Sequence, residues 1–190
     1  MQKQQIKIIW LDRQSAKDRQ LFSSVVDGPY GKMLVLVENL SHGAAPRLAG
    51  LGFCGKHTAA QTLESLKTVS SLKKANIRPA PDNSAATALL EAWQNGGDVT
   101  ICVAAAPKQK EIWSRLMQTV TAGKTCTYDG LANECGTHAR VVGGAMSANP
   151  LAWLIPCHRV LGAGDKLNGY RWGLDVKADM LQGEGASFSP

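Results

Sequence analysis

A chain of 190 residues is long enough for one large domain or two small ones, and 44% hydrophobic with 19% charged residues is the make-up of a soluble globular protein. The formal charge of +6 admits nucleic acid as a partner without requiring it, since residues 1–106 hold 12 basic and 8 acidic groups, residues 107–190 hold 9 and 7, and neither carries a long basic run. Five cysteines without a CxxC pair and four scattered histidines argue against a disulfide framework and a compact zinc site, and no stretch reaches the ~18 apolar residues of a membrane span.

In chain order, the opening MQKQQIKIIWLDRQ lacks the apolar run and cleavage site of a signal peptide, so the expected location is the cytoplasm, or the nucleus in a eukaryote. GKMLVLVENL (31–40) and PRLAGLGFCG (46–55) read as strands. HTAAQTLESLKTV (57–69) reads as a helix capped by Thr58. KKANIRPAPDNS, with two prolines, reads as a loose connection to a helix in SAATALLEAWQNGG that stops at paired glycines. DVTICVAAAP returns to strand. Strands and helices in this order predict an N-terminal α/β domain over residues 1–106.

From 107 to 190 the pattern becomes mainly helical. KQKEIWSRLMQTV places Ile112, Leu116 and Val120 on one face, with Trp113 and Met117 beside them. Thr127 is positioned to cap a short helix through Glu134, Gly136 ends it, and a second helix starts near Ala139. Two short helices on a tight glycine turn outline a helix-turn-helix. The second presents Ala139, Val142, Gly143, Gly144, Ala145 and Ser147, with Arg140 its only long polar side chain. Small residues let a helix approach a narrow minor groove; equally, they let it pack against a neighbouring helix.

The run LAWLIPCHRV (151–160) sets a thiol beside an imidazole just past a proline. Adjacent side chains rarely reach one atom together, so either the pair is incidental or Cys157 is a nucleophile whose proton leaves indirectly.

TCTY, ARVVGGAM, ANPLAWLIPCHRV and LNGYRWGLDVKADML, in this order and spacing, resemble the O6-alkylguanine-DNA alkyltransferase family over about residues 108–185. YGKMLVLVEN and LAGLGFCG resemble that family's ribonuclease-H-like N-terminal domain more distantly. The resemblance implies minor-groove binding of double-stranded DNA, extrusion of the alkylated guanine, and one irreversible transfer of its alkyl group to Cys157, by a monomer with no metal or organic cofactor and no membrane association. His158 is implied as the base, acting through water, with Glu184 orienting it. Asn149 is implied as a hinge, and Tyr128 as the group that turns the target phosphate and assists protonation of the departing guanine. Arg140 is implied to fill the gap left by the base, with Ala139, Gly143 and Gly144 against the DNA. Met146, Tyr170, Arg171 and Trp172 would border the substrate, Val160 and Cys157 would offer backbone carbonyls to it, and Lys177 is a further pocket contact.

Without the motif, Asn149 before Pro150 reads as a turn residue, Tyr128 and Tyr170 as amphipathic surface aromatics, Met146 as core and Glu184 as a frayed terminal charge. Arg159 reads as an anchor of the active-site turn. Two rivals to alkyl transfer remain: a sensor that flips alkylated bases and recruits other repair factors, which the presence of Cys157 disfavours, and a cysteine hydrolase, which would turn over. The turn GTHAR (136–140) is two residues shorter than the family's usual one, and TAG (121–123) replaces a commoner proline-x-glycine. Trp172 stands where some relatives carry a small residue; it either narrows the pocket or turns outward.

Overall fold

A computed structural model describes residues 5–12, 19–38, 45–69 and 71–189. The chain divides into two compact units, Met1–Ala105 and Ala106–Pro190. No helix among the described residues is long and apolar enough to cross a membrane.

The N-terminal unit is built on a six-stranded mixed sheet of β1 (Ile6–Leu11), β2 (Gln20–Gly28), β3 (Gly31–Glu38), β4 (Arg47–Phe53), β5 (Asn76–Pro79) and β6 (Val99–Ala104). Its order is β1-β6-β4-β3-β2-β5. β2, β3 and β4 form an antiparallel meander, while β5 runs parallel to β2 and β6 parallel to both β1 and β4. The central strands are buried at consecutive rather than alternate residues, Met33–Val37 in β3 and Leu48–Phe53 in β4, as expected of strands covered on both faces. Helices α1 (Ala59–Lys67) and α2 (Ser84–Gln94) pack on this sheet. Thr58 caps α1 through a reciprocal pair of hydrogen bonds with Gln61. α2 stops where Gly96 adopts a left-handed φ of 80°.

Cys102 is enclosed here with Arg19 and Glu38: the guanidinium donates to the carboxylate (2.9 Å) and to the sulfur (2.7 Å). Burial pushes this thiol up to about 12.

The expected strands over 31–40 and 46–55 and the helices over 57–69 and 84–97 are present with trimmed ends; residues 39 and 40 lie outside the described set. The loose reading of 73–84 is corrected. Asn76–Pro79 joins the sheet as an edge strand, where the proline's missing N–H costs no ladder bond.

The C-terminal unit comprises α3 (Pro107–Thr119), β7 (Cys126–Thr127), α4 (Tyr128–Glu134), α5 (Ala139–Ser147), β8 (Val160–Leu161) and α6 (Leu174–Gly183). Pro107 opens α3 at the position where a missing N–H is harmless, and Ile112, Trp113 and Leu116 form its buried face. The Trp113 indole N–H donates to the Ala145 carbonyl at 3.1 Å and ties α3 to α5. Thr127 caps α4 by accepting from the Gly130 N–H at 3.0 Å. α4 ends in a paired C-terminal motif: Gly136, at φ 55°, donates to the Asn133 carbonyl and Thr137 to that of Ala132. His138 then starts α5, its carbonyl accepting from Val141 and Val142. GTHAR therefore forms a complete, hydrogen-bonded helix junction.

Candidate active site

The apolar run before Cys157 is a folded turn, with Leu154 N–H donating to Ala152 O and Ile155 N–H to Leu151 O. Trp153 sits inside it at φ 71°, a left-handed conformation that a bulky residue adopts only where its surroundings impose it. Asn149 supplies part of that constraint. Its amide donates to the Ile155 carbonyl (2.8 Å) and to Cys157 Sγ (3.1 Å), and its oxygen accepts from the Leu151 N–H (2.9 Å). Since Asn149 follows the last turn of α5, one buried side chain fixes the thiol relative to that helix.

Cys157–Arg159 form a single 3-10 turn, and Val160–Leu161 then pair parallel with Cys126–Thr127. This two-residue pairing carries Tyr128, the first residue of α4, to the thiol.

His158 is fully buried. Its Nε2 lies 3.0 Å from Glu184 Oε1, and its buried Nδ1 bonds to no protein atom. Arg159 grips the same carboxylate in two places, Nε on Oε2 at 2.8 Å and Nη2 on Oε1 at 2.7 Å. It also donates from Nη1 to the Val120 carbonyl at 2.9 Å. Glu184 is the capping residue of α6, locked by Gly185 at φ 71°, whose N–H donates to Gln182 while that of Ala186 donates to Leu181. A frayed terminal charge is thus excluded. The TAG segment closes on the same point: a side chain at Gly123, itself at φ 81°, would meet the Glu184 carbonyl at 3.1 Å.

Burial pushes the Cys157 thiol up, opposed by the Asn149 hydrogen bond, the nearby Lys177 charge and a hydrogen bond with Tyr170. The resting group is a protonated thiol that needs a base. Burial lowers His158 against the pull of Glu184, so the imidazole is neutral near pH 7. With Nε2–H donating to the carboxylate, the lone pair lies on Nδ1. Burial alone would raise Glu184, but hydrogen bonds from His158 and Arg159 prevail and bring it down to about 2.

A cavity of about 410 Å³ opens onto Cys157, lined by Tyr128, Met146, Ser147, Asn149, Gly169, Tyr170, Arg171 and Trp172. The structure therefore gathers six of the expected residues around the thiol. Burial and the nearby Cys157 push the hydroxyls of Tyr128 and Tyr170 up, which keeps both phenols protonated. Trp172 is 4% exposed and lines the cavity, so the outward orientation is excluded.

Two of the expected pocket contacts, Val160 and Lys177, do not line it. Lys177 is wholly buried and donates to the carbonyls of Val160 (2.8 Å) and Asn168 (3.1 Å); burial lowers its ammonium to about 8. It is a strut for the chain around the pocket, not a pocket contact, and it already occupies one lone pair of the Val160 carbonyl. Arg140 and Gly144 lie exposed on α5, Ala139 and Gly143 half-buried. Ser147 and Gly169 line the cavity unexpectedly; neither residue type carries a signal that sequence reading could use.

The family described as 6-O-methylguanine DNA methyltransferase, DNA binding domain, matches residues 107–186. A methylated-DNA–protein-cysteine methyltransferase of Candida albicans is 51% identical over 79 residues, covering 42% of this chain and 45% of that protein. The protein of the same name from Methanosarcina acetivorans is 36% identical over 137 residues, covering 65% of this chain and 87% of its own. Among solved structures, that of Mycobacterium tuberculosis OGT in complex with DNA aligns with a TM-score of 0.60 at 27% identity, over 87% of this chain and 92% of that one. The structural alignment thus spans both units, and the match to Methanosarcina acetivorans runs over nearly the whole of that protein. The chain belongs to the methylated-DNA–protein-cysteine methyltransferase family.

Proposed function

We propose that this protein repairs DNA directly, moving the alkyl group from O6 of a guanine onto Cys157 Sγ, once per molecule. The observation that carries this reading is the buried thiol at the floor of a cavity, beside a neutral imidazole whose Nδ1 lone pair has no protein partner. The thiol proton passes through water to His158, and Glu184, clamped by Arg159, stabilises the imidazolium. Sulfur then attacks the alkyl carbon. The S–C bond forms, the C–O6 bond breaks, and its electron pair stays on guanine, which takes up a proton with Tyr128 assisting. The resulting thioether does not hydrolyse under cellular conditions, so the protein is consumed.

Double-stranded DNA is the expected substrate, held by α4 and α5 as a helix-turn-helix. The exposed stripe of Arg140 and Gly144 supports minor-groove approach: a Cβ at Gly144 would meet nothing, so the small residue leaves room for another surface. Extrusion of the base follows from the depth of the thiol, which stacked guanine cannot reach. We carry the division of labour likewise: residues 107–190 bind DNA and transfer the alkyl group, and residues 1–106 form a ribonuclease-H-like unit, supported by a three-stranded meander followed by a helix and a strand parallel to its first. A monomer suffices, because every group of the relay comes from one chain.

Intact mass spectrometry after mixing with excess O6-methylguanine duplex tests the reading. One methyl per chain, mapped to Cys157 and absent from Cys157→Ser, is the expected result. Label elsewhere, or continuous release of product, would overturn it.

A further inference from the structure

We propose that Arg171 is a latch that holds the substrate loop against the end of α5 and thereby sets which alkyl groups enter; this rests on the alkyl-transfer reading above. Three contacts carry it. The Arg171 guanidinium donates from Nη2 to the Ser147 carbonyl, on the last residue of α5. That carbonyl belongs to the final turn, where no helical N–H is available and where a cation also offsets the helix dipole. The same guanidinium lies 5.9 Å from the centre of the Trp172 ring, within the range of a cation–π contact. Ser147, Arg171 and Trp172 all line the cavity that ends on Cys157.

The loop needs such a fastening. Residues 167–173 form no helix or strand, Gly169 has no atoms near its Cβ position, and Gly173 sits at φ 100°. The Lys177 bond to Asn168 holds its first part. Arg171 holds the part that carries Trp172, bridging from this loop to the DNA-facing helix. With the guanidinium bonded on one side and against the indole on the other, Trp172 is kept as a pocket wall. A benzyl group requires Trp172 to move, and Trp172 moves only if Arg171 lets go.

Lysine cannot replace this: a compact ammonium that reaches the carbonyl lacks the broad guanidinium that spans from it towards the indole. The test is the ratio of benzyl to methyl transfer, measured with O6-benzylguanine and O6-methylguanine in the same duplex, for the full-length wild type, Arg171→Ala, Arg171→Lys, Trp172→Gly and Arg171→Ala/Trp172→Gly. Arg171→Ala should raise the ratio by about tenfold or more, the scale on which pocket fit discriminates apolar groups. Arg171→Lys should fall between it and the wild type. The double variant should gain no more than Trp172→Gly alone, because both changes release the same wall. Multiplicative gains, or an equal change in both substrates, would overturn the latch. Absence of methyl transfer by the wild type would instead overturn the alkyl-transfer reading, so the two failures are separable. Unchanged thermal unfolding of Arg171→Ala confirms that the fold is intact; a collapsed Arg171→Ala leaves Arg171→Lys and Trp172→Gly to decide, and equal ratios in wild type and Arg171→Lys would then reject the proposal.

Discussion

Glu184 shows how one residue is set by its neighbours. Its side chain is 9% exposed and shares two charge-assisted bonds with Arg159 and one with His158. Removing one partner of such a pair leaves a buried charge, which costs about 3–5 kcal/mol. Arg159→Ala should lose that much at pH 7 by denaturant unfolding. Because Glu184 stands at about 2 in the folded protein against an ordinary 4.5, its contribution is present above about 4.5 and fades as pH falls through about 2. The gap between wild type and variant should therefore narrow over that window; a constant gap would assign the loss to packing alone. At this scale the sequence was most legible. His158 is bonded to Glu184, Asn149 reaches the Cys157 thiol, and Arg159 anchors the turn through Glu184 and the Val120 carbonyl. Lys177 was misplaced because its reach to two backbone carbonyls depends on the path of residues 160–168, which no local pattern encodes.

Among the elements, α5 bears most of the proposed DNA contact. Arg140 is exposed on its first turn, and the junction before it is closed by hydrogen bonds at Gly136 and Thr137, so the short turn still delivers a well-formed helix start. Arg140→Ala should slow repair in duplex DNA by an order of magnitude or more while leaving transfer from free O6-methylguanine nearly unchanged, since a free base needs no extrusion. Equal losses on both substrates would make the residue a support of the fold. Helix starts were readable because Thr58 and Thr127 cap as short polar side chains do. The strands β1, β2 and β5 were not read. β5 is only four residues long and ends in proline, and β2, QLFSSVVDG, breaks its alternation with two serines; pairing with distant strands makes these segments β, not their own composition.

Taken whole, the molecule carries +6 without a basic run. Such a surface neutralises few phosphates, so for about four contacts the logarithm of affinity should fall against that of salt with a slope near −3.6. Anisotropy titrations on duplex DNA at several salt concentrations measure it. A slope near zero would remove phosphate contact from the reading, and one steeper than about −7 would demand a basic track that the chain lacks. The sheet order belongs to this scale too. β6 lies between β1 and β4, three strands separated by long stretches of chain, and only closure of the whole unit decides that arrangement.

Gly185 gives the site a requirement of handedness. Its φ of 71° lies in the mirror half of backbone space, the half that D-alanine prefers and L-alanine opposes. Semisynthesis by ligation can place either enantiomer at this position. D-Alanine at 185 should raise the thermal midpoint by narrowing the unfolded ensemble, worth about 0.4–1 kcal/mol, and L-alanine should lower it. The orientation of the proton relay would then follow the chirality of a residue that takes no part in it.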